Sequence, residues 1–212
     1  MHASSSTTQK TLTETQRLEE LWAGDFGDAC TDRHIGVGKR RKKFWNEVFQ
    51  EIPFRNVLEI GCNQGFNLEH LAPLVHPENI FGIDINRKAL KLCQERLPDS
   101  NIIYGTVKEI PFRDRFFDLV ISAGVLIHIP DESLLKVMNE LARCSHRYVV
   151  LSEYYDVRNV EVPYRGQRNA LFRRDYGGIF QEHFPVFQLR KKGFHTHDEE
   201  FDDETYWIFE RV

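Results

Sequence analysis

Residues 56–65 read NVLEIGCNQG. The apolar run NVLEIG reads as a buried strand that leads straight into a turn holding Gly61 and Gly65, and a helix begins near Asn67. Glycine lets backbone approach a ligand closely, and a helix N-terminus offers unpaired N–H groups to an anionic end such as a carboxylate. The competing reading of the same turn is a tight strand-to-helix connection with no ligand.

Further runs of the same kind follow on the C-terminal side: NIFGIDI (79–85), NIIYG (101–105), FDLVISA (117–123) and RYVVLSEY (147–154). Helical spacing separates them, at Ala89, Leu90, Cys93, Arg96 and Leu97 and again at Leu134, Leu135, Val137, Met138, Leu141 and Ala142. Strands apolar on both faces that alternate with helices predict a mostly parallel sheet covered on each side. The last two runs, FQLRKKGFHTHD (187–198) and TYWIFERV (205–212), have no helix between them and predict an antiparallel hairpin.

On the N-terminal side, Phe44, Trp45, Val48, Phe49 and Ile52 share one helical face, and Pro53 ends that helix. A helical turn or two from Gln16 leads into LWAGDFGDACTDRH (21–34), whose glycines suggest a folded-over loop, a candidate lid. The expected fold is therefore α/β: a Rossmann-like, seven-stranded, mostly parallel sheet with an antiparallel C-terminal strand hairpin and an N-terminal helical cap. Its expected parts are a flexible tail (1–15), the cap (16–53) and the sheet domain (54–212), with an insertion on the substrate side (154–185).

The chain has 212 residues, enough for one core, with 41% hydrophobic residues and 16 Phe to fill it. A formal net charge of -4 argues against nucleic acid or anionic lipid as partner. The basic run Lys39–Lys43 lacks interleaved aromatics and reads as a solvated helix start. Cys30, Cys62, Cys93 and Cys144 show no ligand spacing, and His195 and His197 lack a third partner, so neither metal nor disulfide is expected. The N-terminal residues lack an apolar signal segment and no run of ~20 apolar residues occurs, so a cytoplasmic protein is expected, neither secreted nor in a membrane.

Asp84 ends the second strand run, 19 residues after Gly65. An acidic side chain there can accept hydrogen bonds from ribose hydroxyls; its other reading is a cap for the helix near Arg87. The dinucleotide fingerprint G-x-G-x-x-G is broken, with Asn63 at its middle glycine, which disfavours a pyrophosphate. A nucleoside ligand other than NAD follows.

EIGCNQG, GIDIN, GTVKEIPFRDRFFDLVISAGVLIHIP and the final hairpin together resemble class I S-adenosylmethionine-dependent methyltransferases over residues 40–212. The resemblance implies that Glu59, Gly61, Cys62, Asn63 and Gly65 hold the methionyl end of S-adenosylmethionine. It places the ribose at Asp84 and the adenine at Thr106 and Val107, with Ile85, Asn86, Ala123, Gly124 and Val125 also in the cofactor site. The chain departs from the family at Asn63, usually glycine, and at Thr106, commonly acidic. GVLIHIP, ELARCSHRYVVLSEYY, VPYRGQRNALFRRDYGG and LWAGDFGDACTDRH look like a narrower group, the pseudaminic acid biosynthesis-associated methylases, which implies a sugar-like acceptor.

Independently, Arg165, Arg168, Arg173 and Arg174, with Tyr155 and Tyr164 nearby, form a guanidinium cluster suited to a carboxylate or phosphate. A solvated helix face is the competing reading. Trp22 and Arg33 lie in the candidate lid and join the cofactor-site residues. His128, after the fourth strand, is the first candidate base, set against an ordinary core histidine, and Glu153 and Tyr154 are the reserves. The expected activity is methylation, preferably at oxygen, of a small acidic sugar or its nucleotide conjugate. Its rivals are a catalytically silent cofactor-binding module and an NAD-dependent oxidoreductase.

Overall fold

The computed structural model describes residues 12–34, 41–199, 201 and 203–212. Residues 1–11 of the expected tail, and Lys39 and Arg40 of the basic run, lie outside the described residues.

The central strands carry no polar alternation because both faces are covered. They are Val57–Ile60 (β1), Ile80–Asp84 (β2), Asn101–Tyr104 (β3), Phe117–Ala123 (β4) and Ser145–Glu153 (β5). All pair in parallel, and Thr205–Arg211 (β9) then runs antiparallel to both β5 and Phe187–Phe194 (β8). Among the described residues the sheet order is β3-β2-β1-β4-β5-β9-β8. The seven strands and the C-terminal hairpin agree with the sequence-based expectation.

Side chains alternate across the sheet. Leu58, Ile60 and Val120 enter one core beneath Asp131–Cys144 (α6) and Tyr176–His183 (α7). Val57, Leu119 and Ile121 enter the other, with Lys42–Glu51 (α3), Phe66–Leu71 (α4) and Arg87–Arg96 (α5). Trp45, Val48 and Ile52 bury one face of α3, as their spacing predicts.

One expectation fails. Residues 21–34 are not a folded-over loop but the end of one helix, Glu14–Ala23 (α1), and the whole of a second, Asp25–Arg33 (α2). Gly24 breaks the run only for one residue, being C-cap to the first helix and N-cap to the second. Asp25 and Asp28 in the first turn of α2, and Arg33 in its last, complement the helix dipole. Gly27 reflects close packing rather than a turn, since a Cβ there would lie 1.8 Å from the Trp22 carbonyl oxygen.

After β5 the insertion forms a short antiparallel pair, Val160–Glu161 (β6) with Phe172–Arg173 (β7), and then α7. Gly177 of α7 sits on the ring of buried Trp207, where a Cβ would come within 2.2 Å of Nε1. Gly177→Ala gains the ~1 kcal/mol helix propensity of alanine but overpacks a ring that has no room to move. We expect a net loss of about 1–2 kcal/mol, seen as a lower urea midpoint at unchanged slope.

Candidate cofactor and acceptor site

Strand order reverses at β1, which lies between β2 and β4, and in open α/β sheets ligands bind in the crevice at the carboxyl ends of such strands. The turn after β1 is tightly wound. Gly61, Asn63 and Gly65 have φ of 57°, 46° and 76°. At Gly61 a Cβ would strike Val125 at 2.4 Å, whereas asparagine is among the few residues that tolerate the left-handed region. Asn63 thus replaces a glycine without breaking the turn.

Asp84, at the end of β2, fastens this turn. Its Oδ2 accepts from Asn63 N and its Oδ1 from Asn86 N, both at 2.8 Å, and burial pushes its pKa up. The helix-cap reading falls instead to Asn86, whose Oδ1 accepts from Ala89 N. Asn86 Nδ2 donates to the Trp22 carbonyl at 3.1 Å and to Asp28 Oδ1 at 2.8 Å, tying both cap helices to the strand end.

A cavity of about 250 Å³ opens here, between the strand ends and the cap. Of the residues expected in the site, it is lined by Trp22, Glu59, Gly61, Cys62, Asn63, Asp84, Ile85, Asn86, Thr106, Val107, Ala123, Gly124, Val125, His128, Tyr154 and Tyr164. Sequence reasoning overlooked Glu19, Asn67, Lys108 and Glu204, which also line it. No local pattern marks Glu19 or Glu204, because their chain neighbours say nothing of which strand end they will meet.

Glu59 is buried on the α3 side of β1. Its Oε1 accepts from Asn67 Nδ2 at 2.6 Å, and Asn67 Oδ1 in turn accepts from Trp45 Nε1 and Arg41. Among the described residues, Glu59 Oε2 and Asn63 Oδ1 are buried acceptors without a hydrogen bond of good geometry, although the Leu68 amide lies near enough to the Glu59 carboxylate to favour its charge. Burial pushes the Glu59 pKa up to about 8, against the Asn67 hydrogen bond and the Arg41 charge, while the Asp84 charge adds to the rise.

His128 follows β4 in a single helical turn, Leu126–His128. Its Nδ1 lies 2.6 Å from the Ala170 carbonyl, which only accepts, so Nδ1 carries the proton and Nε2 holds the lone pair. Burial lowers its pKa to about 4, so the ring is neutral near pH 7. It packs 4.3 Å from the Trp22 ring and 5.4 Å from Tyr164.

Several expected site residues stand elsewhere. Glu153 points beneath the site: its carboxylate accepts from Ser122 Oγ and from the N–H groups of Val125, Leu126 and Ile127, so it anchors the turn that carries His128. Arg174 is 2% exposed and bonded to Asp131, Asn159, Ile129 O and the Tyr176 hydroxyl; it is a framework cation, not a substrate clamp. Gly65 packs on Cys93, Tyr155 on Trp207, and Arg33 lies on the exposed side of α2. Arg165, Arg168 and Arg173 are exposed outside the cavity. Arg165 lies over the Tyr164 ring at 5.8 Å and Arg173 over Tyr154 at 5.7 Å.

Residues 57–147 match the family described as a methyltransferase domain. Over 73 residues the chain is 37% identical to phthiotriol/phenolphthiotriol dimycocerosates methyltransferase 1 of Mycobacterium ulcerans, covering 34% of this chain and 27% of that protein. A fatty-acid O-methyltransferase of Mycolicibacterium smegmatis is 28% identical over 74 residues, 34% of this chain and 27% of its own length. The chain thus matches about a quarter of the length of these curated relatives.

Two solved structures share the fold. One is magnesium protoporphyrin IX methyltransferase from Synechocystis with bound S-adenosylhomocysteine (TM-score 0.70, 16% identity, 92% of this chain and 99% of that one). The other is a Burkholderia thailandensis 1,6-didemethyltoxoflavin-N1-methyltransferase with bound 1,6-didemethyltoxoflavin and S-adenosylhomocysteine (TM-score 0.74, 12%, 96% and 93%).

The residues present fit S-adenosylmethionine. A ligand ammonium supplies the donor that Glu59 Oε2 lacks, and its charge favours the ionised carboxylate. Glu59 is protonated in the free protein below about pH 8, so binding below that pH releases a proton. Affinity for S-adenosylhomocysteine is therefore expected to rise with pH, by at most about tenfold per unit, and to level off above about pH 8. Titration calorimetry in buffers of different ionisation enthalpy reads this directly, and Glu59→Gln should abolish the proton release; wild-type affinity independent of pH would rule the linkage out.

Proposed function

We propose that this chain is a class I S-adenosylmethionine-dependent methyltransferase that methylates an oxygen of a small anionic acceptor, namely a carboxylated sugar of the nonulosonic type or its nucleotide conjugate. The observation that carries the reading is the pair Arg165 and Arg173. Each lies over a tyrosine that lines the cavity, and each is exposed; Arg173 has the Asp156 carboxylate in its field, while no ion pair within 4 Å is seen for either among the described residues. Two exposed guanidiniums beside one opening favour an anion there.

The cofactor supplies a methyl group already activated on a sulfonium, so the protein's share of the chemistry is alignment and, for a hydroxyl acceptor, proton removal. His128 presents a neutral imidazole, but a pKa of about 4 makes it a weak base. A carboxylate oxygen is ionised beforehand and asks nothing of it. That supports a carboxylate as nucleophile, with His128, Trp22 and Tyr164 shaping the acceptor wall.

A second reading keeps the carboxylate and changes what it is attached to. The aromatic wall of Trp22, Phe26, His128 and Tyr164 suits an apolar chain as well as a sugar face, and two relatives are named for lipid acceptors. No helix among the described residues is long and apolar enough to cross a membrane.

Labelled methyl transfer from S-adenosylmethionine to a panel of carboxylated sugars, their nucleotide conjugates and fatty acids separates the two. We expect product with the sugars; product with fatty acids alone supports the second reading, and cofactor binding with no product from any acceptor supports a silent binding module. Replacing Arg165 and Arg173 together by alanine should raise KM for the anionic acceptor by roughly tenfold or more while S-adenosylhomocysteine affinity stays unchanged. Loss of both affinities in step would mean that the insertion only supports the fold.

A further inference from the structure

We infer that Glu19, a residue of the cap rather than of the sheet, reads the nucleobase of the cofactor by accepting a hydrogen bond from its exocyclic amino group. The inference rests on the S-adenosylmethionine reading above and adds the residue that sets base specificity.

The geometry begins at the sheet edge. β3 is the next strand outward from β2, and the loop after it lines the same cavity as Asp84, so a nucleoside whose ribose meets Asp84 has that loop within reach of its base. Along that loop the cavity is lined by Thr106, Val107 and Lys108, whose side chains offer a hydroxyl, an apolar face and an ammonium. None of the three is a carboxylate, the side chain best matched to an amino donor.

Glu19 brings one from across the cavity. Its Oε1 accepts from Thr106 Oγ1 at 2.5 Å and its Oε2 lies 2.8 Å from Lys108 Nζ, and Glu19 itself lines the same cavity. Each carboxylate oxygen has room for a second donor, so both contacts position the group without saturating it. α1 is fixed independently one turn earlier, where Thr15 N and Oγ1 donate to Glu132 Oε1 and Thr15 Oγ1 meets Ser133 Oγ at 2.6 Å. The carboxylate therefore reaches the loop from an already anchored helix.

The plainer alternative is that Glu19 only latches the cap to the loop. Partly exposed ion pairs of this kind contribute little to stability, with side-chain exposures here of 20% for Lys108 and 30% for Glu19. A latch also makes no distinction between bases, and that difference decides the test.

The probes are S-adenosylhomocysteine and S-inosylhomocysteine, in which a carbonyl replaces the amino group, titrated into the full chain. Wild type should prefer the adenosyl compound by roughly ten- to hundredfold, the range for one hydrogen bond to a charged group. In Glu19→Gln the preference should collapse toward unity, because a carboxamide both accepts and donates. Lys108→Met, which weakens the latch but keeps the carboxylate, should retain it.

Equal affinities in wild type overturn the inference without any variant, and so does an undiminished preference in Glu19→Gln. Wild type that binds neither compound would remove the cofactor reading itself.

Discussion

The hold of Asp84 on two backbone N–H groups is the constraint from which the rest of the site follows. One carboxylate, nearly out of water, joins the left-handed turn after β1 to the end of β2. Burial alone would favour its neutral form, and the two amide donors oppose that. With the turn pinned, Glu59 and Asn63 present their orphaned oxygens inward and α4 leaves the sheet at a fixed angle. Asn86, held by the same carboxylate, can then cap α5 and grip the cap helices at once.

A second buried carboxylate works in the same way on the acceptor side. Glu153 gathers three N–H groups of the turn after β4, and burial raises its pKa to about 7 against the Ser122 hydroxyl and those amides. Both strand ends that frame the cavity are therefore fixed by acids whose charge is spent on backbone. Besides Asp84 and Glu19, the groups that can meet a ligand are of another kind: a neutral imidazole at His128, a proton-bearing carboxyl at Glu59 and exposed guanidiniums at Arg165 and Arg173.

Much of this was legible in the sequence because strand ends are local. NVLEIGCNQG and FGIDIN announce a strand, a turn and an acid in fixed order, and the cavity contains Gly61, Asn63 and Asp84 together. What was not legible depended on contacts between distant segments. Arg174 is indistinguishable from Arg173 in sequence, yet the alternation that starts in β7 continues one residue past it, burying Arg174 against Asp131 and exposing Arg173. Glu153 looked like a catalytic reserve because it follows an apolar strand, while its partners lie 26 to 31 residues away. The glycines of residues 21–34 suggested a loop, since neither the single-residue break at Gly24 nor the close contact at Gly27 has a local signature.

The cap is attached by two kinds of contact. Leu18 and Cys30 are buried and Trp22 and Phe26 pack against His128 and Tyr164, while the polar links of α1 and α2 to the body include the Glu19, Asn86 and Thr15 contacts, Gln64 to the Thr31 carbonyl and Lys88 to Asp32. Segments that dock by apolar burial carry a large heat-capacity change, and their grip weakens in the cold. A cap held by apolar and polar contacts together carries only part of that penalty. Its closure over the cavity should therefore respond to ionic strength as well as to temperature, because two of its links, Glu19 to Lys108 and Asp32 to Lys88, are partly exposed ion pairs that salt screens.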